Sequence, residues 1–122
     1  MQSYRELPIW QKAMQLATDI YRITSAFPKS ETHSLVSQMR RAAVSIPSNI
    51  AEGHSLKYQK AYLRHLAIAS SSLTELETQL DIAQRLGYLS EKDRSCVSQA
   101  NEVGKMLSAL RQSLQARFPP KS

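Results

Sequence analysis

Hydrophobic and polar residues recur with a helical period in four segments of the chain. In the first segment, from about residue 8 to 26, one stripe is formed at three- and four-residue steps by Trp10, Ala13, Met14, Ala17, Ile20, Tyr21 and Thr24. Pro8 suits the first turn of a helix, and Phe27-Pro28 favours its end, because the residue before a proline is disfavoured in helical geometry. This pattern predicts a helix over about 8–26 with one face against a partner.

The second segment predicts a helix over about 31–52. Ser30 followed by Glu31 is typical of a helix start, and Gly53 suits the left-handed position that closes a helix. Its inner face is predicted to hold Leu35, Met39, Ala42, Ala43, Ile46 and Ile50.

The third and fourth segments carry the longest repeats. A heptad-like seam over about 56–86 comprises Tyr58, Tyr62, Leu66, Ala69, Leu73, Leu76, Leu80 and Ala83. Ser90 and Asp93 have the spacing of a capping box ahead of a helix over about 90–117, which Phe118-Pro119-Pro120 would end. The inner face of that last helix is predicted to hold Ala100, Val103, Leu107, Leu110 and Leu114.

Four amphipathic helices joined by short connections predict one all-α domain over residues 1–122, an antiparallel up-down four-helix bundle. The content of 42% hydrophobic residues is ordinary for such a domain. No apolar run reaches the roughly 18 residues of a membrane span, and the first residues lack a signal-peptide pattern. We therefore expect no membrane partner and a cytoplasmic location.

Charge is concentrated in the first half of the chain. Residues 1–64 hold nine Lys and Arg against four Asp and Glu, whereas the remainder holds seven against six, within a formal net charge of +6. A basic half favours a polyanionic partner such as nucleic acid, although a solvated face that only aids solubility is an alternative.

Residues for catalysis or metal binding are sparse. Cys96 is the only cysteine, and His33, His54 and His65 are isolated from one another. The chain has no glycine-rich phosphate loop, no G-x-S-x-G motif, and no arginine separated from a histidine after it by four to six residues. We expect no metal, no cofactor and no catalytic residues.

Three stretches carry a family resemblance, namely LPIWQKAMQLATDIY, QMRRAAVSIPSNIAEG and LRHLAIASSSLTELETQLDIAQRLGYL. With them the chain resembles the four-helix-bundle proteins encoded by intervening sequences of bacterial 23S ribosomal RNA genes. The same superfamily contains the accessory variability determinant of diversity-generating retroelements, a basic homopentamer that binds nucleic acid and partners a reverse transcriptase. The resemblance implies a ring-like homo-oligomer, a pentamer, in a bacterial cytoplasm. Most members have no assigned activity, so fold and assembly follow from the resemblance more directly than function does.

The segment RRAAVSIPSNIAEG places Pro47 inside a helix, where its missing N–H leaves the carbonyl of Ala43 without its usual donor. Nearby polar side chains, among them Ser48, are expected to satisfy the loosened backbone. We expect a bend that fits neighbouring helices or another subunit. Arg41 and Glu52 are interpreted as an ion-pair or interface set rather than catalysts. The structural or interface residues are thus Arg41, Ser45, Pro47, Asn49, Glu52 and Gly53.

A basic stripe is predicted at the start of the third helix. Lys57, Lys60 and Arg64 are three and four residues apart, with Tyr58 and Tyr62 beside them. The tyrosines can stack on bases if exposed, but the seam interpretation, which buries both, is favoured. The predicted nucleic-acid-binding residues are Arg22, Lys29, Arg40, Lys57, Lys60 and Arg64, with Arg40 rather than Arg41 facing solvent.

Together these features predict a non-enzymatic basic scaffold that self-assembles and binds nucleic acid, RNA or DNA, with low sequence specificity. A protein partner that handles nucleic acid, such as a reverse transcriptase, is compatible with this prediction. The alternatives are a protein-interaction module without nucleic-acid binding and a small RNA-processing enzyme that uses Arg41 or Glu52.

Overall fold

A computed structural model describes residues 3–117, which form four α-helices joined by short turns. They are α1 (Pro8–Thr24), α2 (Leu35–Leu56), α3 (Gln59–Arg85) and α4 (Ser95–Arg117). Three 3-10 turns, Tyr4–Glu6, Lys29–Glu31 and Lys92–Arg94, precede α1, α2 and α4. No strand occurs within residues 3–117, so the all-helical prediction is confirmed. The predicted helix end at Phe118-Pro119-Pro120 lies outside the described residues.

Each helix packs against the next one along the chain, and α1 also packs against α4. Across the α1–α4 contact, Lys12 Nζ lies 3.3 Å from Glu102 Oε1, and Gln99 donates to Asp19 at 2.9 Å. Arg22 Nη1 lies 3.4 Å from Asp93 Oδ1 at the far end of this contact. Residue numbers therefore rise along α1 as they fall along α4.

The core is made of the inward faces of all four helices. Among its completely buried side chains are Leu16, Ile20, Met39, Ile46, Ile50, Leu66, Leu76, Leu80 and Leu107. Burial of each such side chain stabilises the fold by about 1.5–3 kcal/mol. From Leu66 onward the predicted seam of α3 is buried as expected, through Ala69, Leu73, Leu76, Leu80 and Ala83.

The predicted stripe on α1 is confirmed in part, since Ala13, Ala17, Ile20 and Thr24 are buried. Met14 and Tyr21 are 40% and 44% exposed, whereas Leu16 and Ile23 are almost completely buried. The three-and-four pattern fits both faces because α1 has apolar residues over more than half of its circumference. Met14 and Tyr21 line a groove toward α2 instead.

The predicted helix start at Ser30 is wrong, because Lys29–Glu31 forms a 3-10 turn and α2 begins at Leu35. The carboxylate of Glu31 accepts hydrogen bonds from Ser34 at 2.7 Å and from the hydroxyl of Tyr88 at 2.8 Å. The bond from Tyr88 ties the turn to the α3–α4 connection, and the bond from Ser34 ties it to the residue directly before α2.

The predicted end of the second helix at Gly53 is also wrong. Helix α2 continues through Gly53 to Leu56 and ends at Lys57, which has the left-handed conformation (φ 62°). Gly53 is buried against α3, where an added Cβ would lie 2.9 Å from both His65 Cβ and Tyr62 Cδ1. This glycine permits close helix packing, and α3 begins at Gln59 rather than near residue 56.

Pro47 is buried within an uninterrupted α2. The side chain of Asn49 donates to the carbonyl of Ser45 at 2.8 Å, as expected for a polar side chain that bonds backbone near a proline. The Ser90–Asp93 pair forms half of its capping box. The Asp93 amide donates to Ser90 Oγ at 3.2 Å, but Asp93 lies in the turn Lys92–Arg94 ahead of α4 rather than in α4 itself.

Within residues 3–117, no helix is long and apolar enough to cross a membrane.

Candidate nucleic-acid interface

A basic cluster surrounds the turn between α2 and α3. We define the turn cluster as Lys57, Tyr58, Lys60 and Arg64, all of which are exposed. The left-handed Lys57 ends α2, Tyr58 precedes the first residue of α3, and Lys60 and Arg64 lie one turn apart on α3. The structure therefore brings these three predicted basic residues to one end of the molecule.

The two tyrosines at this end have different environments. Tyr58 is 73% exposed, which contradicts its predicted place in the α3 seam; the reason is that it lies in the turn before α3 begins. Tyr62 is half-buried, with its ring edge-to-face with His54 at 5.8 Å between centroids. Burial raises the pKa of the Tyr62 hydroxyl above its usual value of 10.0. Tyr58 is thus the tyrosine that can stack on a base.

The other predicted basic residues do not join the turn cluster. Arg22 lies near Asp19 (3.7 Å) and Asp93 (3.4 Å), so acidic groups already compensate its charge at the α1–α4 contact. Lys29 is exposed in the 3-10 turn before α2, at the opposite end of that helix from Lys57. These two positions do not extend the stripe that the sequence predicted.

The prediction that Arg40 faces solvent rather than Arg41 is wrong. Arg40 is half-buried, and its guanidinium donates to Thr24 Oγ1 at 2.9 Å and to the carbonyl of Tyr21 at 3.2 Å. It also lies 4.6 Å from the centroid of the Tyr21 ring. A cation that binds the last carbonyls of a helix is favourable, so Arg40 secures the end of α1 to α2. Arg41 is exposed.

A polar network joins α2 to α3 around the PSNIAEG segment. Ser72 donates to Ser45 Oγ at 2.8 Å, and Asn49 Nδ2 donates to the same oxygen at 3.1 Å. Asn49 Oδ1 lies 2.9 Å from His65 Nδ1, and Glu52 Oε2 lies 3.6 Å from that nitrogen. With the amide oriented in this way, the Nδ1–H of His65 is the donor to Asn49. We call Ser45, Asn49, His65 and Ser72 the interhelical network.

Sequence reasoning found Ser45 and Asn49 but missed His65 and Ser72. The signal was present, since positions 65, 72 and 79 are seven residues apart and polar, beside an apolar seam. Three polar residues at heptad spacing on one long helix indicate a polar line at a helix contact.

Arg41 and Glu52 do not form the ion pair that the sequence suggested. Their positions lie eleven residues apart on the continuous α2, which separates them by about 16 Å.

A cleft beside this network is lined mainly by polar side chains. Gln38, Arg41, Ser45, Ser72, Glu75 and Gln79 line it. Gln79 Oε1 is buried and has no hydrogen-bond partner among the described residues. Among residues 3–117 there is also no group of three or more His, Cys, Asp or Glu side chains placed to hold a metal ion.

An apolar groove of about 590 Å³ runs between α1 and α2. It is lined by aromatic and aliphatic side chains, including Tyr4, Trp10, Met14, Tyr21, Val44 and Pro47. Tyr4 and Trp10 pack edge-to-face at 5.3 Å, and Val44 is 43% exposed. Pro47 therefore lies between the core and a surface groove.

These features define a class: an all-helical protein with a basic turn, a polar helix contact and an apolar surface groove. The 23S rRNA-intervening sequence protein family matches residues 5–109, and the chain belongs to that family. A crystal structure of a protein of unknown function from the S23 ribosomal protein family of Bacteroides thetaiotaomicron is similar. The TM-score is 0.75 at 21% identity, over 84% of this chain and 97% of that one, which shows a common fold. A search of curated proteins found no match.

Proposed function

We propose that this protein is a non-enzymatic basic scaffold that self-assembles and binds nucleic acid with low sequence specificity. The observation that carries the proposal is the turn cluster, in which three exposed cations surround a tyrosine that is 73% exposed. An exposed aromatic ring beside several cations is the arrangement with which proteins bind single-stranded nucleic acid.

The chemistry of the turn cluster suits a single-stranded or looped nucleic acid. Lys57, Lys60 and Arg64 supply charges for phosphates, and Tyr58 supplies a ring on which a base can stack. Stacking of this kind is worth about 1–3 kcal/mol per base and tolerates any sequence. Phosphate contacts fix position without reading sequence, so the binding is nonspecific and steeply dependent on salt.

Self-assembly is the second part of the proposal. We take the domain to be an antiparallel up-down bundle, which the opposite residue order along α1 and α4 supports, and the assembly to be a ring-like homopentamer in the bacterial cytoplasm. Five copies at +6 each give +30 by multiplication and present five turn clusters at once. Several weak phosphate contacts made together gain through effective concentration.

The proposed relationship to the accessory variability determinant of diversity-generating retroelements adds a candidate protein partner. In that case the scaffold presents nucleic acid to an enzyme such as a reverse transcriptase. Both RNA and DNA are compatible with the chemistry of the turn cluster, which contacts phosphate and base faces only.

The apolar groove favours a second candidate function, a protein-interaction module in which the charge serves solubility. Such a module would capture a protein partner in high salt and would have no affinity for RNA or DNA. A small RNA-processing enzyme has less support, because Arg41 and Glu52 lie about 16 Å apart on one helix and do not form a common site.

Fluorescence anisotropy with labelled single-stranded DNA, duplex DNA and structured RNA tests the proposal. The variant combines Lys57→Glu, Lys60→Glu and Arg64→Glu. The matched control combines Lys92→Glu, Arg94→Glu and Lys105→Glu, which makes the same charge change at exposed residues away from the turn cluster. We expect the first variant to lose at least tenfold in affinity at unchanged oligomeric mass, and the control to lose much less. Equal losses of affinity in the two variants would mean that net charge alone, rather than the turn cluster, explains the binding. No binding of nucleic acid by the wild type at low salt would overturn the proposal.

A further inference from the structure

The polar cleft between α2 and α3 contains groups whose capacity for hydrogen bonds is unused. Gln79 is only 8% exposed, and its Oε1 has no partner among residues 3–117. Ser45 Oγ accepts hydrogen bonds from Ser72 and Asn49, whereas its own hydroxyl hydrogen has no acceptor within the same residues. A buried polar atom without a partner is unfavourable, so a fold that keeps one needs a reason, and a bound ligand supplies one. We call this cleft the α2–α3 cleft.

Two opposite charges face each other at the mouth of the α2–α3 cleft. The interhelical network fixes α2 and α3 as antiparallel neighbours. Arg41 lies one turn before Ser45 on α2, and Glu75 lies one turn after Ser72 on α3, so the two charges are at the same level. Both side chains are exposed and line the cleft. Within residues 3–117 neither of them forms an ion pair.

The α2–α3 cleft has the size of a site for a small molecule. Its volume is about 300 Å³, which is at the lower end of the range for ligand pockets. The space exists because the side chains between the two helices at this level, Ala42, Ser45 and Ser72, are small. This volume favours a ligand smaller than a nucleotide.

The chemistry of the lining disfavours several classes of ligand. No aromatic side chain from the described part of the chain lines the cleft, so a nucleobase would have no ring on which to stack. The carboxylate of Glu75 would repel a simple anion such as phosphate, and it is a single ligand where Ca²⁺ or Mg²⁺ requires several oxygens. A small ligand that carries both a positive and a negative charge suits the mouth of the cleft.

We propose that the α2–α3 cleft binds a free α-amino acid with a carboxamide side chain, glutamine or asparagine. The α-carboxylate of the ligand pairs with the guanidinium of Arg41, and its α-ammonium pairs with the carboxylate of Glu75. The carboxamide enters the cleft, where its N–H donates to Gln79 Oε1 and its carbonyl accepts from the Ser45 hydroxyl. Each of these four groups of the protein then has a partner.

This inference goes beyond the proposed binding of nucleic acid and does not depend on it. Along α3 the cleft begins at Ser72, eight residues after Arg64 of the turn cluster, a separation of about 12 Å. The two sites share no residue. A result at one of them therefore leaves the proposal for the other unchanged.

Isothermal titration calorimetry of the full chain with L-glutamine and with L-asparagine tests the inference. We expect saturable binding of at least one of them, with one molecule per chain. L-Glutamate has no side-chain N–H for Gln79 Oε1, and N-acetyl-L-glutamine has no ammonium for Glu75. Each of these two analogues should bind at least about tenfold more weakly, because it leaves a polar group of the site without a partner.

Two variants locate the site. Arg41→Met removes the guanidinium at an exposed position, and Gln79→Leu replaces the unpartnered amide by an apolar side chain of similar size. Each should weaken binding of the amino acid at least about tenfold, with the fold checked by circular dichroism. Arg85→Met is the matched control, because Arg85 is an exposed arginine of α3 outside the cleft, and it should bind as the wild type does.

Thermal unfolding separates a ligand-binding role of Gln79 from a structural one. Without ligand, Gln79→Leu should unfold at the wild-type temperature or above it, because its amide oxygen has no partner to lose. With ligand, the wild type and Arg85→Met should gain stability, whereas Gln79→Leu should gain none.

Three results would overturn the inference. The first is the absence of saturable binding of either amide amino acid at millimolar concentrations, in which case water occupies the cleft. The second is wild-type affinity in both Arg41→Met and Gln79→Leu, which would place the bound amino acid elsewhere on the protein. The third is equal affinity for L-glutamate and L-glutamine, which would show that the carboxamide is not recognised.

Discussion

Gly53 is the position where a single methyl group tests the contact between α2 and α3. In Gly53→Ala the new Cβ would lie 2.9 Å from His65 Cβ and from Tyr62 Cδ1, and 3.3 Å from the carbonyl oxygen of Tyr62. Two of these atoms belong to or directly adjoin the α3 backbone. They cannot move away without moving the helix.

The expected magnitude follows from two opposing effects. Alanine in place of glycine inside a helix gains up to about 1 kcal/mol, whereas overpacking a close contact costs about 1–3 kcal/mol. Because the contact is with atoms fixed by α3, we expect the upper part of that range and a net loss of about 1–2 kcal/mol. For a chain of 122 residues this lowers the Tm by about 4–8 °C.

Gly104→Ala is the matched control, since Gly104 also lies inside a helix but its added Cβ would meet only Leu73 Cδ2, at 3.3 Å. The end of a leucine side chain can turn aside, so we expect this variant to equal or exceed the wild type in stability. Urea and thermal unfolding followed by circular dichroism, at one protein concentration because assembly shifts the apparent stability, measure both. A Gly53→Ala protein as stable as Gly104→Ala would refute the reasoning.

Three further predictions concern polar and titratable groups. Asn49→Leu removes the partner of His65 Nδ1, so we expect the free energy of unfolding to fall by about 1–3 kcal/mol, measured by urea titration. A fall of less than about 0.5 kcal/mol would contradict a stabilising role of the interhelical network. The hydrogen bonds from Ser34 and Tyr88 lower the pKa of Glu31, so the stability they contribute is present above pH 4.5 and is lost as the pH falls through the lowered value. The stability difference between wild type and Tyr88→Phe should therefore shrink on acidification, and a difference that grows would contradict this assignment. Burial raises the pKa of Cys96 to about 11, so iodoacetamide at pH 8 should modify it only in urea, and rapid labelling of the folded protein would contradict its burial.

Periodicity was sufficient to predict the four helices and most of the core. On α3 the apolar spacing from Leu66 to Ala83 identifies residues that are buried in the structure, because a long regular helix repeats the same face. On α1 it identified Ala13, Ala17, Ile20 and Thr24 but also included two exposed residues, since apolar residues cover a wide face of that helix. Met14 and Tyr21 could not be separated from Leu16 and Ile23 without knowing where α2 lies.

The errors at Gly53 and Arg40 have one physical cause. Glycine is typical both of helix ends and of close helix packing, and the sequence around position 53 does not distinguish the two. Arginine usually faces solvent, but Arg40 lies opposite the last carbonyls of α1, which attract a cation. Both roles depend on a neighbouring helix, which local sequence does not specify.

The candidate site was predicted in part. The spacing of Lys57, Lys60 and Arg64 placed three cations together because they lie within two helical turns of each other. The exposure of Tyr58 depends on where α2 stops and α3 starts, and the sequence placed that boundary three to four residues too early. The contribution of His65 to the interhelical network required the pairing of α2 with α3.

The most direct test of the central claim is the salt dependence of binding to a labelled single-stranded RNA, measured for the wild type and for a variant with Lys57→Gln, Lys60→Gln and Arg64→Gln. Each phosphate contact on a single strand contributes about −0.7 to the slope of log K against log salt concentration. We predict a steep negative slope for the wild type. When one turn cluster is engaged, the slope for the variant is shallower by about 2, and the variant binds the RNA more than tenfold more weakly in low salt. A variant of unchanged oligomeric mass with the wild-type slope and affinity would contradict the account.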